Sequence, residues 1–182
     1  MALSYNEVKQ RAIKFSNEWK DETRERAEGK TFLDQFFDVF GINRRRISMF
    51  EVKVRTYDDA DGYIDLLWKG MLLVEFKSRG FSLDKAYEQA KNYTTGLQQK
   101  DLPRYILVSD FARFRLYDLE ENSIDEFKLK DLYKNIKLFN FILGYQKTSY
   151  KEQDPVNIAA AELMGKLHDK LKSVGYTGHH LE

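Results

Sequence analysis

Three charged residues, Asp65, Glu75 and Lys77, interrupt the otherwise apolar segment GYIDLLWKGMLLVEFKSRG, residues 62–80. Burying a charge in apolar strands is costly unless the charge is paired or binds a cation. Mg²⁺ prefers oxygen ligands and often takes one or two carboxylates together with water and phosphate oxygens. Glu75 and Lys77 lie two residues apart and share one face of a strand, and the carbonyl oxygen of Phe76 between them is a further candidate ligand. The segment therefore predicts a Mg²⁺ site in a hairpin.

The length of the turn between the two strands decides whether Asp65 joins this site. A two-residue loop at Lys69 and Gly70 would place Asp65 opposite Val74, facing away from Glu75. A loop of odd length centred on Gly70 places Asp65 opposite Glu75, so that the charged side chains converge. We therefore predict an odd loop or a bulge, with Gly70 in the left-handed conformation. The alternative is an ordinary ion pair across an exposed edge hairpin, but the apolar flanking residues favour a central one.

The spacing of apolar residues predicts helices on both sides of a sheet. Ser4 and Glu7 fit a capping box that begins the first helix, and the Phe-rich run TFLDQFFDVFG predicts a second helix that ends at Gly41. Five strands are predicted from alternating or continuous apolar runs: ISMFEVKVRT, the two strands of the hairpin, RYILVSD and RFRLYDL. Further helices are predicted over residues 83–97, over LKDLYKNIKLFNFILGY and after Pro155. The order α, α, β, β, β, α, β, β, α, α predicts an α/β fold with a mixed sheet flanked by helices.

Composition narrows the class of protein. The chain has 182 residues, enough for one domain and a short appended segment, and 42% of them are hydrophobic, as in a globular protein. No apolar run is long enough to cross a bilayer, and the N-terminal segment lacks the apolar stretch of a signal peptide. The absence of cysteine excludes disulfides and thiolate metal sites and is typical of a cytoplasmic protein. The net charge of +1 means that any contact with nucleic acid depends on local positive charge.

The motif formed by Asp65, Glu75 and Lys77, followed by Gln89 and Tyr93, resembles the PD-(D/E)XK nuclease superfamily. In its branch similar to the RecB nuclease domain, a Q-x3-Y motif follows on the next helix. Four separated blocks resemble more closely the N-terminal nuclease region of MmeI-like single-chain type II restriction–modification enzymes: KTFLDQFFDVFGINRRR, IDLLWKGMLLVEFKSRGFSLDKAYEQAKNY, LPRYILVSDFARFRLYDL and NIAAAELMGKLHDKL. Those enzymes fuse a nuclease, a helical spacer, an adenine-N6 methyltransferase and a target-recognition domain.

This resemblance implies a restriction-endonuclease-like core over residues 1–150, then a linker and the first helix of a helical spacer over residues 151–182. It implies a Mg²⁺-dependent endonuclease, with Mn²⁺ as a substitute, that hydrolyses phosphodiesters of double-stranded DNA. A second copy is expected to cut the other strand. Neither an NPPY motif nor a SAM-binding glycine loop occurs in the sequence, so SAM is expected only in a methyltransferase region outside these residues. The alternative function is a non-catalytic module that holds DNA or docks a partner.

The resemblance also assigns roles to individual residues. Asp65 and Glu75 would ligate Mg²⁺, and Lys77 would orient or help to deprotonate the attacking water. Gln89 and Tyr93 share one helical face and would brace the site or touch the DNA backbone, although the same spacing fits an ordinary helix surface. The superfamily often adds a glutamate from the first helical region, for which Glu28 is the first choice and Glu25 the second.

Other charged residues are weaker candidates. The run Arg44–Arg46 follows a helix end and suits phosphate contacts or a solvated turn, whereas Arg79, beside the motif, is the better phosphate candidate. Arg113 and Arg115 alternate along one strand and are expected to face solvent. His168 completes no zinc-type spacing.

Overall fold

The structure, a computed structural model, describes residues 3–21, 25–43, 49–56 and 61–143. All of these residues belong to one compact unit, Met1–Gly144. The expected boundary at residue 150, the segment 151–182 with its helix and His168, and the run Arg44–Arg46 lie outside the described residues.

Six strands form one mixed sheet in the order β1-β2-β3-β4-β5-β6, so each strand pairs with its neighbour in the chain. Their bounds are Met49–Arg55, Asp61–Trp68, Leu72–Phe76, Tyr105–Ser109, Arg113–Asp118 and Ser123–Lys128. Strands β3 and β4 are parallel, and the other pairs are antiparallel. A parallel pair needs a crossover connection, which here contains helix α3, Leu83–Thr94. The predicted mixed sheet flanked by helices is confirmed.

Helices α1, Tyr5–Trp19, and α2, Glu25–Val39, precede the sheet. The predicted capping box is present: Ser4 Oγ accepts the Glu7 N–H at 3.3 Å, and the Ser4 N–H donates to Glu7 Oε2 at 2.7 Å. These two bonds satisfy N–H groups that the start of a helix leaves unpaired. The helix then buries Val8, Ala12, Phe15, Ser16 and Trp19.

Two hydrophobic cores cover the two faces of the sheet. The α1–α2 core is rich in phenylalanine, and its central ring, Phe32, lies 5.0 Å from Phe76 and 4.9 Å from Phe111 between ring centroids. The α3 core on the other face is smaller and joins Leu73 and Ile106 of the sheet to Ala86 and Ala90 of the helix. Residues of β3 alternate between the two cores, since Leu72, Val74 and Phe76 belong to the first and Leu73 to the second.

The sequence-based assignment of elements fails at two places. Strand β6 was not predicted. In its segment SIDEFK only Phe127 is buried, while the other large apolar residue, Ile124, is 62% exposed, so the apolar alternation is weak. The single helix predicted after it is instead a series of short turns: a 3-10 turn Leu129–Asp131, helix α4 at Leu132–Asn135 and a second 3-10 turn Ile136–Phe139. Its apolar residues Leu132, Ile136 and Phe139 are nevertheless buried in the α1–α2 core. Among the described residues, no helix is long and apolar enough to cross a bilayer.

Candidate active site

The turn between β2 and β3 has the odd length that the sequence predicted. Leu66 pairs with Val74 and Trp68 with Leu72, which leaves Lys69, Gly70 and Met71 as a three-residue loop. Gly70 has φ +72°, as at the third residue of a type II turn, where glycine avoids the steric cost of positive φ. The Met71 N–H donates to the Trp68 carbonyl at 2.9 Å and closes the turn. Both parts of the prediction are confirmed, and this register sets Asp65 level with Glu75.

Asp65 lies where strands β2 and β3 stop pairing through their main chains. The paired residues end at Leu66 and Val74, and beyond that point Asp65 Oδ2 accepts the Phe76 N–H at 2.7 Å. The Asp65 carboxylate therefore takes the place of a main-chain acceptor and reaches across to the residue that follows Glu75. In a regular strand the carbonyl of a residue points to the same side as its N–H, so the Phe76 carbonyl is expected on the β2 side of β3.

Glu75 and Lys77 form an ion pair at the end of β3. Glu75 is only 2% exposed, and its Oε1 atom lies 2.7 Å from Lys77 Nζ. The Lys77 side chain is itself 16% exposed, and its ammonium lies 5.8 Å from the centroid of the Phe81 ring. The Lys77 N–H donates to the Ser109 carbonyl at 2.9 Å and anchors this end of β3 to β4. The Lys77 ammonium thus contacts the buried Glu75 carboxylate, which faces the α3 side of the sheet.

The donor set suits a hard divalent cation. Carboxylates of Asp65 and Glu75 and the carbonyl of Phe76 are all oxygen donors, which Mg²⁺ accepts together with water and phosphate oxygens. Within residues 3–21, 25–43, 49–56 and 61–143, no three or more His, Cys, Asp or Glu side chains are grouped to hold a metal. The protein would therefore supply two carboxylates here, and the assignment of Asp65 and Glu75 as metal ligands stays a prediction.

Gln89 and Tyr93 meet each other on helix α3, as their spacing predicted. Gln89 Nε2 donates a short hydrogen bond to the Tyr93 hydroxyl, and Tyr93 is only 9% exposed and belongs to the α3 core. The Tyr93 ring lies against Gly62 of β2, where a Cβ atom would collide with the ring. This contact joins α3 to the strand that carries Asp65, while a role of the pair in bracing the site or in touching DNA stays a prediction.

The structure does not bring Glu28 together with Asp65 and Glu75. Glu28 is half-buried and lines a groove between α1 and α2 with Glu18, Trp19, Thr31 and Gln35. Helix α2 packs on the face of the sheet that receives Phe76, whereas alternation along β3 turns Glu75 to the α3 side. Glu28 as a third metal ligand is thus a prediction without support from the described geometry. The side chain of Glu25 lies outside the described part of the chain.

A buried carboxylate that the sequence reasoning missed fixes the loop after Lys77. Asp110 is 1% exposed, accepts the Gly80 N–H at 3.0 Å, and pairs with Arg113 at 2.7 Å. Burial would raise the pKa of Asp110, but hydrogen bonds from the Arg113 side chain and from the main chain of Gly80 and Arg113 outweigh it and lower that pKa. Arg113 Nη2 also donates to the Phe81 carbonyl at 2.9 Å. An acid directly after an apolar strand, with arginine three residues later, was the available signal.

The arginines near the site are engaged in contacts with other parts of the protein. The expectation that both Arg113 and Arg115 face solvent fails for Arg115, whose side chain is 17% exposed and pairs with Asp84 and Glu126. The Arg113 side chain is 36% exposed and binds Asp110. The two Arg115 pairs tie β5 to α3 and to β6. Arg79, the predicted phosphate contact, lies on the exposed loop, and its Nη2 atom donates to the Lys20 carbonyl at 2.7 Å.

Comparisons with known proteins agree with this architecture. A family model described as "MmeI, N-terminal domain" matches residues 10–174, and no curated protein matches the sequence. The fold is similar to that of a chain in the cryo-electron microscopy structure of the DrdV–DNA complex, with a TM-score of 0.52 and 14% identity over 75% of this chain. The match covers 14% of that longer chain. Because the family model covers most of the sequence, the chain belongs to the family of MmeI N-terminal domains.

Proposed function

We propose that this chain is the Mg²⁺-dependent DNA-cleaving domain of a restriction–modification protein. One observation carries the proposal: the odd hairpin loop sets Asp65 level with Glu75, and Lys77 Nζ lies 2.7 Å from Glu75 Oε1. The order of these residue types on two adjacent strands is that of the PD-(D/E)XK nucleases, which the sequence resembles. Membership in the MmeI N-terminal family supports the same assignment.

The residues have distinct roles in this proposal. Asp65 and Glu75 would hold the cation, and the Phe76 carbonyl would complete the protein's share of its ligands. When bound, Mg²⁺ supplies Lewis acidity towards a phosphoryl oxygen and lowers the pKa of bound water. Lys77 positions the attacking water and stabilises negative charge on the phosphate. Hydrolysis then adds the water oxygen to phosphorus and releases one sugar oxygen of the chain.

Double-stranded DNA is the proposed substrate. The similar DrdV chain was determined in a complex with DNA, and phosphate oxygens complete the ligands of Mg²⁺ in many protein sites. Because the chain spans 14% of the DrdV chain, we propose that target recognition and SAM-dependent adenine methylation reside in further domains of a longer protein. A second copy would supply the cut in the other strand.

Cleavage of supercoiled plasmid by the natural full-length protein tests the proposal. With Mg²⁺, wild type should cut, whereas Asp65→Asn and Glu75→Gln should lose activity by a factor of about 10² or more. The control is Asp61→Asn, which removes an exposed carboxylate of the same strand that pairs with Lys53 at 2.9 Å. This control should cut like wild type. Equal cleavage by wild type and Asp65→Asn would refute the assignment and favour a non-catalytic module that holds DNA or docks a partner.

A binding measurement supports the cleavage assay without requiring activity. Calorimetry with Mn²⁺ should show binding to wild type and a weaker affinity in both Asp65→Asn and Glu75→Gln. Unchanged Mn²⁺ affinity in the two variants would contradict the proposed ligand pair.

A further inference from the structure

Strand β2 breaks its alternation at Asp65. Ile64 and Leu67 both belong to the α3 core although they lie three residues apart, and Leu66 between them belongs to the α1–α2 core. In a regular strand, residues three apart point to opposite faces. The strand therefore changes faces between Ile64 and Leu66, and the residue between them is Asp65.

Strand β1 changes faces at the same level. Met49 pairs with Leu67 and Val52 pairs with Ile64, and directly opposed residues share a face. Met49 and Val52 are thus also three apart and on one side of the sheet. The residue between Val52 and Phe50 is Glu51, which has φ +50° and an exposed side chain. Positive φ is unfavourable for a residue with a Cβ atom, so a regular strand would not place Glu51 in this conformation.

The two changes, here called the paired face switch of Glu51 and Asp65, cancel each other in the register. The pairing of Met49 with Leu67 and of Val52 with Ile64 implies the same offset on both sides of the switch. A change in β2 alone would add one residue to one strand and shift the pairing, as a bulge does. Gly62 would then leave its place beneath the Tyr93 ring, where no Cβ atom fits.

The face switch also accounts for the direction of the Asp65 carboxylate. At an alternating position the side chain would stand on one face of the sheet. At the switch its Oδ2 atom instead lies 2.7 Å from the Phe76 nitrogen, between strands β2 and β3 and beside the main chain that follows Glu75. The orientation of the proposed metal ligand therefore depends on a matching conformation in β1.

We propose that Glu51 is a positioning residue for Asp65, and that it acts through its left-handed backbone rather than through its carboxylate. This inference rests on the proposed function, since it concerns one of the proposed metal ligands. It predicts that substitutions at position 51 are tolerated in the order in which the new residues adopt positive φ without steric strain. Glycine and asparagine accept that conformation, alanine accepts it poorly, and β-branched valine accepts it least.

Four variants of position 51 test this in the natural full-length protein: Glu51→Gly, Glu51→Asn, Glu51→Ala and Glu51→Val. The readouts are Mn²⁺ affinity by calorimetry and kcat for plasmid cleavage with Mg²⁺, with circular dichroism to verify folding. Gly and Asn should keep both values near those of wild type, whereas Ala should weaken Mn²⁺ affinity about tenfold and Val more. The matched control is Lys53→Val, at an exposed and regular position of the same strand, and it should change neither.

The outcomes separate this inference from the proposed function. Equal losses in Glu51→Gly and Glu51→Ala would show that the carboxylate matters, and would overturn the backbone role, as would an unchanged Glu51→Ala. If Glu51→Val fails to fold, the comparison of Gly with Ala still decides. If wild type and Asp65→Asn cleave equally, the proposed function is refuted. In that case the order of the Mn²⁺ affinities of the position 51 variants still tests the backbone role of Glu51. A wild type that binds no Mn²⁺ refutes both the backbone role and the proposed function.

Discussion

Lys77 Nζ and Glu75 Oε1 lie 2.7 Å apart at the end of a strand whose glutamate is 2% exposed. The two charges of a buried pair depend on each other more than those of a surface pair do, because removal of one leaves the other buried and uncompensated. Mg²⁺ binding to Glu75 would supply a second cation at this carboxylate. In the proposed site, Lys77 would then be able to contact water or phosphate instead of balancing Glu75 alone.

Replacement of Lys77 by methionine should abolish cleavage and keep metal binding. The methionine retains most of the aliphatic stem but removes the ammonium, and we expect kcat to fall by about 10² to 10⁴. Mn²⁺ affinity should be unchanged or tighter, because Glu75 loses a competing cation. Plasmid cleavage and calorimetry measure the two effects. The control is Lys69→Met, which removes a half-exposed lysine that pairs with Asp101 at 2.9 Å. Cleavage by Lys77→Met within a few-fold of wild type would contradict the role of the lysine.

Replacement of Gly70 by alanine should destabilise the fold by about 1 to 2 kcal/mol. The cause is conformational, since φ is +72° and the nearest atom to an added Cβ, the Lys100 carbonyl oxygen, is at an ordinary 3.7 Å. Urea denaturation measures the change. Gly70→Asn should lose less, because asparagine tolerates positive φ. Equal stability of wild type and Gly70→Ala would mean that the hairpin loop has another conformation in solution.

Replacement of Gly62 by alanine should displace Tyr93. The added Cβ would collide with the Tyr93 ring, and we expect a loss of about 1 to 3 kcal/mol. The double variant Gly62→Ala/Tyr93→Leu should lose less than the sum of the single variants, because the smaller side chain leaves room for the methyl group. Thermal or urea unfolding of all four proteins checks this, and strict additivity would argue against the contact.

Asp110 should make the stability of the fold depend on pH in acid. Its folded-state pKa lies below the ordinary value of 3.8, so the carboxylate stabilises the folded state at pH values above 3.8. That contribution is lost as the pH falls through the lowered pKa. Asp110→Asn should therefore cost about 3 kcal/mol at neutral pH, with the gap to wild type narrowing below pH 3.8. Urea denaturation across the acidic range measures it, and a gap independent of pH would contradict the charge-based explanation.

Local patterns carried most of the fold and the core of the candidate site. Asp65 and Glu75 are level because the turn between their strands has an odd number of residues. The odd loop length and the glycine at its centre were sufficient to predict this. The capping box of Ser4 and Glu7 is likewise a contact between residues near in sequence. Gln89 and Tyr93 are one helical turn apart, and their meeting needs no tertiary information.

Features that depend on tertiary packing were not predictable in the same way. Glu28 lies one and two helical turns before the buried Phe32 and Phe36, but this spacing cannot tell which face of the sheet the helix covers. Glutamate has no preference for positive φ, so only the pairing of β1 with β2 reveals the conformation of Glu51. Strand β6 has too few buried residues for its alternation to stand out, because its side chains lie at the open edge of the sheet.

The hairpin loop has a consequence for the order of folding. Asp65 and Glu75 are brought level by a three-residue loop, which closes with little loss of chain entropy, whereas β3 meets its parallel neighbour β4 only after the whole crossover has been ordered. We therefore expect the carboxylates to become neighbours before the sheet around them is complete. We also expect Asp65 to acquire its final direction late, once β1 has paired with β2 of the preformed hairpin.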